Sequence, residues 1–227
     1  MAYLTRHAHG RLAQPRKEQL MLKLVPASLA AAMALSLPQL ASAAETITVP
    51  PVPQNIVVDA TANKVFFVGH ATGTQNYVCQ PSGSGVAFVL FTPQATLFDD
   101  YGQQVITHFF SPNPKENNTN PAVVTDGAIR ATWQFKDTSS VWAKVNPGDA
   151  STDQNFVHEG AVAWLKLTAV GTLEGPTGGD KLTQVTFIQR LNTEGGVAPK
   201  TGCTTAADIG NQAFEPYTAD YFFYKKR

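Results

Sequence analysis

The chain predicts an all-β fold, an antiparallel β-sandwich or barrel of roughly ten strands with long loops and at most one short helix. Three observations carry that expectation. Residues 129–136 alternate strictly, with Ile129, Ala131, Trp133 and Phe135 on one side and Arg130, Thr132, Gln134 and Lys136 on the other. This is the period of a strand with one face on a core. Short β-branched and aromatic runs recur between clusters of Gly, Pro, Asn, Asp and Ser, and apolar residues almost never recur at helical spacing. Sandwich and barrel share this pattern, so both stay open.

Export signals come first in the chain. From Met21, taken as the start, the sequence has one Lys, an apolar run too short to span a bilayer, Pro38, and then Ala41-Ser42-Ala43. That order is a secretory signal peptide, which makes residues 1–43 an N-terminal extension plus leader and the destination secreted or periplasmic. Cleavage after Ala43 leaves 184 residues with 12 basic and 16 acidic side chains, a formal charge of −4. A mildly acidic surface argues against nucleic acid or anionic lipid as partners. No later segment approaches membrane-spanning length.

Residues 44–63 are a Pro-rich lead, expected to run extended along the surface, followed by a short edge strand at 54–58. Residues 64–227 are expected to form a single all-β domain. Its organising stretch, 64–79, reads as a buried strand at 65–68, a kink between Gly69 and Gly73 that brackets His70, and a second strand at 74–80. The continuous apolar run at 86–91 predicts a strand covered on both faces. Segments 95–98 and 104–110 flank Asp99-Asp100-Tyr101-Gly102, where Asp can bond its own backbone and Gly can take positive φ, so they form a hairpin. Residues 111–121 read as a loop. The strand at 129–136 pairs with 141–145 across Asp137-Thr138-Ser139-Ser140, and 162–173 pairs with 181–192. The short helix is placed at 204–214, and 217–224 closes the chain as an aromatic strand.

The chain has two cysteines, Cys79 and Cys203. Export favours a disulfide between them over a reactive or metal-binding thiol pair, since no other metal-ligating side chain sits beside either at ligand spacing. Catalytic motifs are absent: there is no G-x-S-x-G elbow, no H-E-x-x-H, no phosphate-binding glycine loop and no EF-hand loop. His158-Glu159 reads as solvated, and Asp99-Asp100 as a turn rather than a Ca²⁺ site. Asn117-Asn118-Thr119 is a glycosylation sequon that matters only in a glycosylating host. No metal, cofactor or catalytic residue is assigned.

The runs G-H-A-T-G-T-Q-N-Y-V-C, A-T-L-F-D-D-Y-G-Q-Q-V-I-T-H, R-A-T-W-Q-F-K-D-T-S-S-V-W-A, V-T-F-I-Q-R-L-N-T-E-G-G-V-A-P-K-T-G-C and Y-T-A-D-Y-F-F-Y occur in order over nearly the whole mature chain. Together they resemble a family of secreted bacterial and fungal proteins whose domain has no assigned function. The resemblance implies the leader, the Cys79–Cys203 pair and the closing tyrosine strand, and it implies no mechanism. Some fungal members carry the label malate dehydrogenase. This chain gives that label no support, having neither G-x-G-x-x-G between strand and helix nor βαβ alternation, and no nicotinamide nucleotide is expected to bind. Many relatives have His, Gly-Pro and Trp in quick succession, whereas here His108-Phe109-Phe110-Ser111-Pro112 and a loop precede Trp133. A site using His108 and Trp133 therefore needs the fold to bring them together.

Strand faces nominate the candidate site. Gln75 shares a face with Tyr77 and Cys79, His108 with Ile106 and Phe110, and Gln189 with Val185, Phe187 and Leu191. A polar group buried without a partner costs about 1–3 kcal/mol, so each of these must bond inside the protein or meet a ligand. One expectation is that Gln75, His108 and Gln189 satisfy the core. The other is that they converge with Tyr77 and Trp133 on one cavity for a small organic ligand, with His108 as its pH-sensitive member. The function read from the chain is thus an exported, non-catalytic β-domain binding a small molecule, a glycan or an envelope partner. The alternatives are a hydrolase or isomerase using His108 with a carboxylate, and a structural or stress-related envelope protein without ligand.

Overall fold

The computed structural model describes residues 46–117 and 127–227. The leader, the first residues of the Pro-rich lead and the rest of the sequon after Asn117 lie outside the described residues. Eight strands make one closed antiparallel barrel: β1 (Asn63–Ser82), β2 (Gly85–Phe98), β3 (Gln104–Asn113), β4 (Ala128–Phe135), β5 (Ser140–Ser151), β6 (Trp164–Leu173), β7 (Val185–Gly195) and β8 (Gln212–Lys226). Each strand pairs with its sequence neighbours, and β1 closes the ring against β8. Closure gives every strand a neighbour on both sides and decides the choice between sandwich and barrel.

The strands are fewer and longer than the turn signals suggested. Gly69 and Gly73 do not break the chain: both lie inside β1, and a Cβ on Gly73 would stand 2.1 Å from the Gln94 carbonyl oxygen. The glycine there permits close approach of β2 rather than a kink. The runs at 86–91 and 95–98 likewise fuse into β2. Full coverage of 86–91 does not occur: Phe91 is 66% exposed, because β3 pairs with β2 only at Ala95–Phe98 and leaves the earlier part of that edge open. Residues 54–58 form a single 3-10 turn, Gln54–Ile56, instead of an edge strand. The helix placed at 204–214 shrinks to a 3-10 turn at Ala206–Asp208, and β8 starts at Gln212.

Turn chemistry follows the residues closely. Asp99 Oδ1 accepts the amides of Tyr101 and Gln103, and Gly102 takes φ of 73°, which makes the β2–β3 hairpin. In the β4–β5 turn Asp137 accepts from the Ser139 amide and hydroxyl and from the Lys181 amide, which ties this turn to the β6–β7 loop.

Two apolar layers result. Inside the ring, Leu97, Ile106, Trp133, Val141, Ile188, Tyr221 and Phe223 form the core, with Leu182, Phe67 and Phe135 filling one half. Outside it, residues 46–58 lie as a strap on the outer faces of β6, β7, β8 and β1: Ile47, Val49, Val52, Ile56 and Val58 pack on Val68, Trp164, Leu191, Phe222 and Tyr224. The lead is extended, but it covers a second apolar face rather than a solvated one. Hydrogen bonds from Asn55 Nδ2 to the Gly148 and Ala150 carbonyls fasten it to β5. A disulfide joins Cys79 to Cys203, with a Cα separation of 5.4 Å, and links β1 to the loop before β8.

Candidate functional site

The half of the barrel interior not filled by core side chains is a cavity of about 230 Å³ that touches all eight strands. Its deep wall is polar and aromatic. His108 and Trp133 are direct partners across β3 and β4, and their rings stack with centroids 4.2 Å apart and planes 11° apart. The loop between them in sequence is irrelevant in space, because the antiparallel pairing returns the chain to the same level. Tyr221 of β8 stands edge-on to both rings, at 5.3 and 5.6 Å. Arg190 lies opposite Tyr221 on β7, and Gln75 completes the wall from β1.

Protonation follows from these contacts. His108 Nδ1 donates to the Thr132 carbonyl at 2.8 Å, which leaves Nε2 as an acceptor. Burial, aided by the positive charge of Arg190, lowers the His108 pKa to about 3, so the ring is neutral throughout the physiological range. The expected pH-sensitive role does not fit this ring. Burial also raises the pKa of both Tyr217 and Tyr221, whose hydroxyls meet at 3.2 Å.

Two donors on this wall stand out. Gln75 and Trp133 are only 2% and 1% exposed, yet Gln75 Nε2 and Trp133 Nε1 have no hydrogen-bond partner among the described residues. The Tyr217 hydroxyl is near enough to Gln75 to be influenced by it, but without hydrogen-bond geometry. Nearer the mouth the lining turns apolar, with Leu90, Phe110, Ile129, Val145 and Leu165. Arg130 also lies there, paired with Glu116 at 2.8 Å.

Of the residues nominated from the sequence, the structure brings Gln75, His108 and Trp133 together on this cavity and leaves two outside it. The Tyr77 hydroxyl donates to the Gly196 carbonyl at 2.6 Å and does not line the cavity. Gln189 points out of the barrel, where its amide donates to the Ile56 carbonyl at 2.7 Å and its oxygen accepts from the Tyr224 hydroxyl. The cause is a register irregularity between Val185 and Phe187. Val185 belongs to the inner core with Ile188, whereas Phe187 and Leu191 belong to the outer layer. A one-residue shift exchanges the faces of a strand, so Arg190 rather than Gln189 faces inward. Strand alternation alone could not find Arg190. Tyr221 was legible as part of the aromatic strand but was not singled out.

A second polar cluster lies on the outer wall. His70 Nδ1 and Asp220 Oδ1 are 2.6 Å apart, and His70 Nε2 and Asp100 Oδ1 are 2.9 Å apart; Asn192 donates to the other Asp220 oxygen. Burial pulls the His70 pKa down, but the two carboxylates outweigh it and the pKa is raised. His158, expected to be solvated, is largely exposed and meets Glu194 at 3.0 Å.

A family model described as "Protein of unknown function (DUF3455)" matches residues 60–225. The chain belongs to this family. The match runs from just before β1 to one residue short of the end of β8, so the DUF3455 segment contains all eight strands but for that residue, both cysteines and every cavity residue, while the strap lies before it. No curated protein and no solved structure matches the chain.

Proposed function

We propose that this barrel is an exported, non-catalytic binding domain that holds a small organic molecule in its interior. The observation that carries the reading is the pair of buried donors, Gln75 Nε2 and Trp133 Nε1, on the wall of a cavity roomy enough for a ligand. Leaving such groups unpaired costs about 1–3 kcal/mol each, and a ligand acceptor would recover that cost. Apolar walls with a few placed polar groups are the usual build of a small-molecule site. The catalytic alternative draws less support, since no Asp or Glu is among the described residues lining the cavity and His108 is held by a backbone carbonyl.

The test is thermal unfolding of the purified protein against a panel of fragment-sized compounds at millimolar concentration. A compound at 100 times its dissociation constant adds about 2.7 kcal/mol, a rise in Tm of roughly 5–10 °C for a domain of this size. Hits should weaken in Trp133→Phe, which removes the indole N–H and keeps an aromatic wall. A panel with no hit, or hits indifferent to that substitution, would overturn the reading.

Export belongs to the same proposal. The A-S-A site and the Cys79–Cys203 disulfide, which is compatible with an oxidising compartment, support it. Mass spectrometry of the exported protein should find Ala44 at the N-terminus, and a mature chain beginning at Met1 or Met21 would refute it.

A further inference from the structure

The cavity has a chemical polarity that narrows its ligand. The two fully buried polar atoms on its deep wall that lack a partner are both donors, the Gln75 amide N–H group and the Trp133 indole N–H. Beside them lies the guanidinium of Arg190, whose Nε and Nη2 donate to the Ala163 carbonyl at 3.2 and 2.8 Å, leaving Nη1 outside those bonds. Among the described residues no carboxylate lies within salt-bridge distance of Arg190. A part-buried guanidinium is ordinarily paired with an anion, and this one is bonded to a neutral carbonyl. Lys144 at the mouth adds a further cation, and Arg130 is already neutralised by Glu116.

Apolar side chains occupy the opposite end of the cavity. Leu90, Ile129 and Val145 are each about 40% exposed at the mouth, while Gln75, His108, Trp133 and Tyr221 are almost wholly buried. A ligand that satisfies both ends enters with its charged group first and leaves an apolar body against the rim. An engineered cavity of about 150 Å³ holds benzene, so about 230 Å³ accommodates roughly ten non-hydrogen atoms.

We propose that the barrel binds a small amphiphilic carboxylate, its carboxylate held by Arg190, Gln75 Nε2 and Trp133 Nε1 and its aliphatic or aromatic body held by the apolar mouth. This rests on the interior-binding reading above and adds the charge and orientation of the ligand. A carboxylate accepts from all three donors at once and is the planar partner a guanidinium recognises best. A neutral molecule of the same skeleton leaves the Arg190 charge uncompensated. A cation meets the like charges of Arg190 and Lys144.

The experiment compares two probes of equal length, octanoate and octanamide, on the purified ¹⁵N-labelled protein. The indole N–H resonance of Trp133 reports on the deep wall and is identified by its loss in Trp133→Phe. Octanoate is expected to move this resonance and to bind at least about tenfold more tightly than octanamide. In Arg190→Met, octanoate is expected to lose that advantage while octanamide binds as before. Should that variant fail to fold, Gln75→Glu, which sets a like charge against the ligand, is expected to abolish octanoate binding.

Equal binding of the two probes to the wild-type protein would overturn the carboxylate assignment and leave the interior-binding reading standing. Failure of octanoate to move the Trp133 resonance would overturn it as well. In that case the thermal panel decides the broader reading separately, since hits of other chemistry that depend on Trp133 would preserve it.

Discussion

The surroundings of His108 and His70 shift their pKa values in opposite directions, and their linkage to stability has opposite sign. The buried His108 has its pKa depressed to about 3, so between pH 6.5 and 3 the unfolded chain takes up a proton that the folded one refuses. Stability is therefore full above pH 6.5 and falls by about 1.4 kcal/mol per pH unit on acidification through that window. His108→Asn keeps a donor near the Thr132 carbonyl and has nothing to protonate. Compared with this variant, the wild-type protein should lose about 2 kcal/mol more between roughly pH 7.5 and pH 5 in denaturant titrations. Identical slopes would show that the ring is not buried neutral. His70 has a raised pKa, so its bonds to Asp100 and Asp220 stabilise fully below pH 6.5 and weaken as pH rises through its folded value. That contribution is small because its side chain is 46% exposed. At this scale three members of the cavity were legible from the sequence, because Gln75, His108 and Trp133 were polar or polar-handled groups on otherwise apolar faces of regular strands. Arg190 was not, since the residue that reveals it is the bulge four positions earlier.

Elements show where a sequence pattern carries two meanings. Glycine between apolar runs signals a break as readily as a close backbone contact, and Gly73 is the second kind: besides the Gln94 carbonyl oxygen, an added Cβ would stand 2.6 Å from the Ala95 Cα. Both obstacles are backbone, so neither can rotate away. Gly73→Ala is expected to force β1 and β2 apart and cost on the order of 2–3 kcal/mol, measured as a lower denaturation midpoint. A cost under about 0.5 kcal/mol would show that the strands tolerate the separation. The hairpins at Asp99–Gly102 and Asp137–Ser140 were legible because each opens on an Asp whose carboxylate accepts backbone amides of its own turn, joined in the first by a Gly at positive φ. The strap was harder to read, since prolines fix an extended backbone without saying what it lies against. Its role depends on Phe187, Leu191, Phe222 and Tyr224, an apolar set on the outer face of the barrel that becomes a set only once β7 and β8 pair.

Across the whole molecule, closure makes the two ends of the domain depend on each other, since β1 is completed by β8. The disulfide sits at this seam, yet the seam does not require it for its geometry. Cys79 N donates to the Asn211 carbonyl at 2.8 Å and Gly210 N donates to the Cys79 carbonyl at 3.0 Å, so backbone bonds already hold β1 against the start of β8. The disulfide must then act mainly on the unfolded chain, where it closes a loop with a sequence separation of 124 residues. Such a loop is worth on the order of 5 kcal/mol in the chain-entropy model, with strain and residual structure subtracting from it. Cys79→Ala combined with Cys203→Ala should preserve the strand content and the Trp133 indole resonance while lowering stability by about 3–5 kcal/mol. It should also steepen the denaturant dependence, because the freed unfolded chain exposes more surface. A variant that loses the Trp133 resonance would show that the disulfide shapes the folded barrel. A variant as stable as the wild type would show that the unfolded chain is held compact by something other than the cross-link.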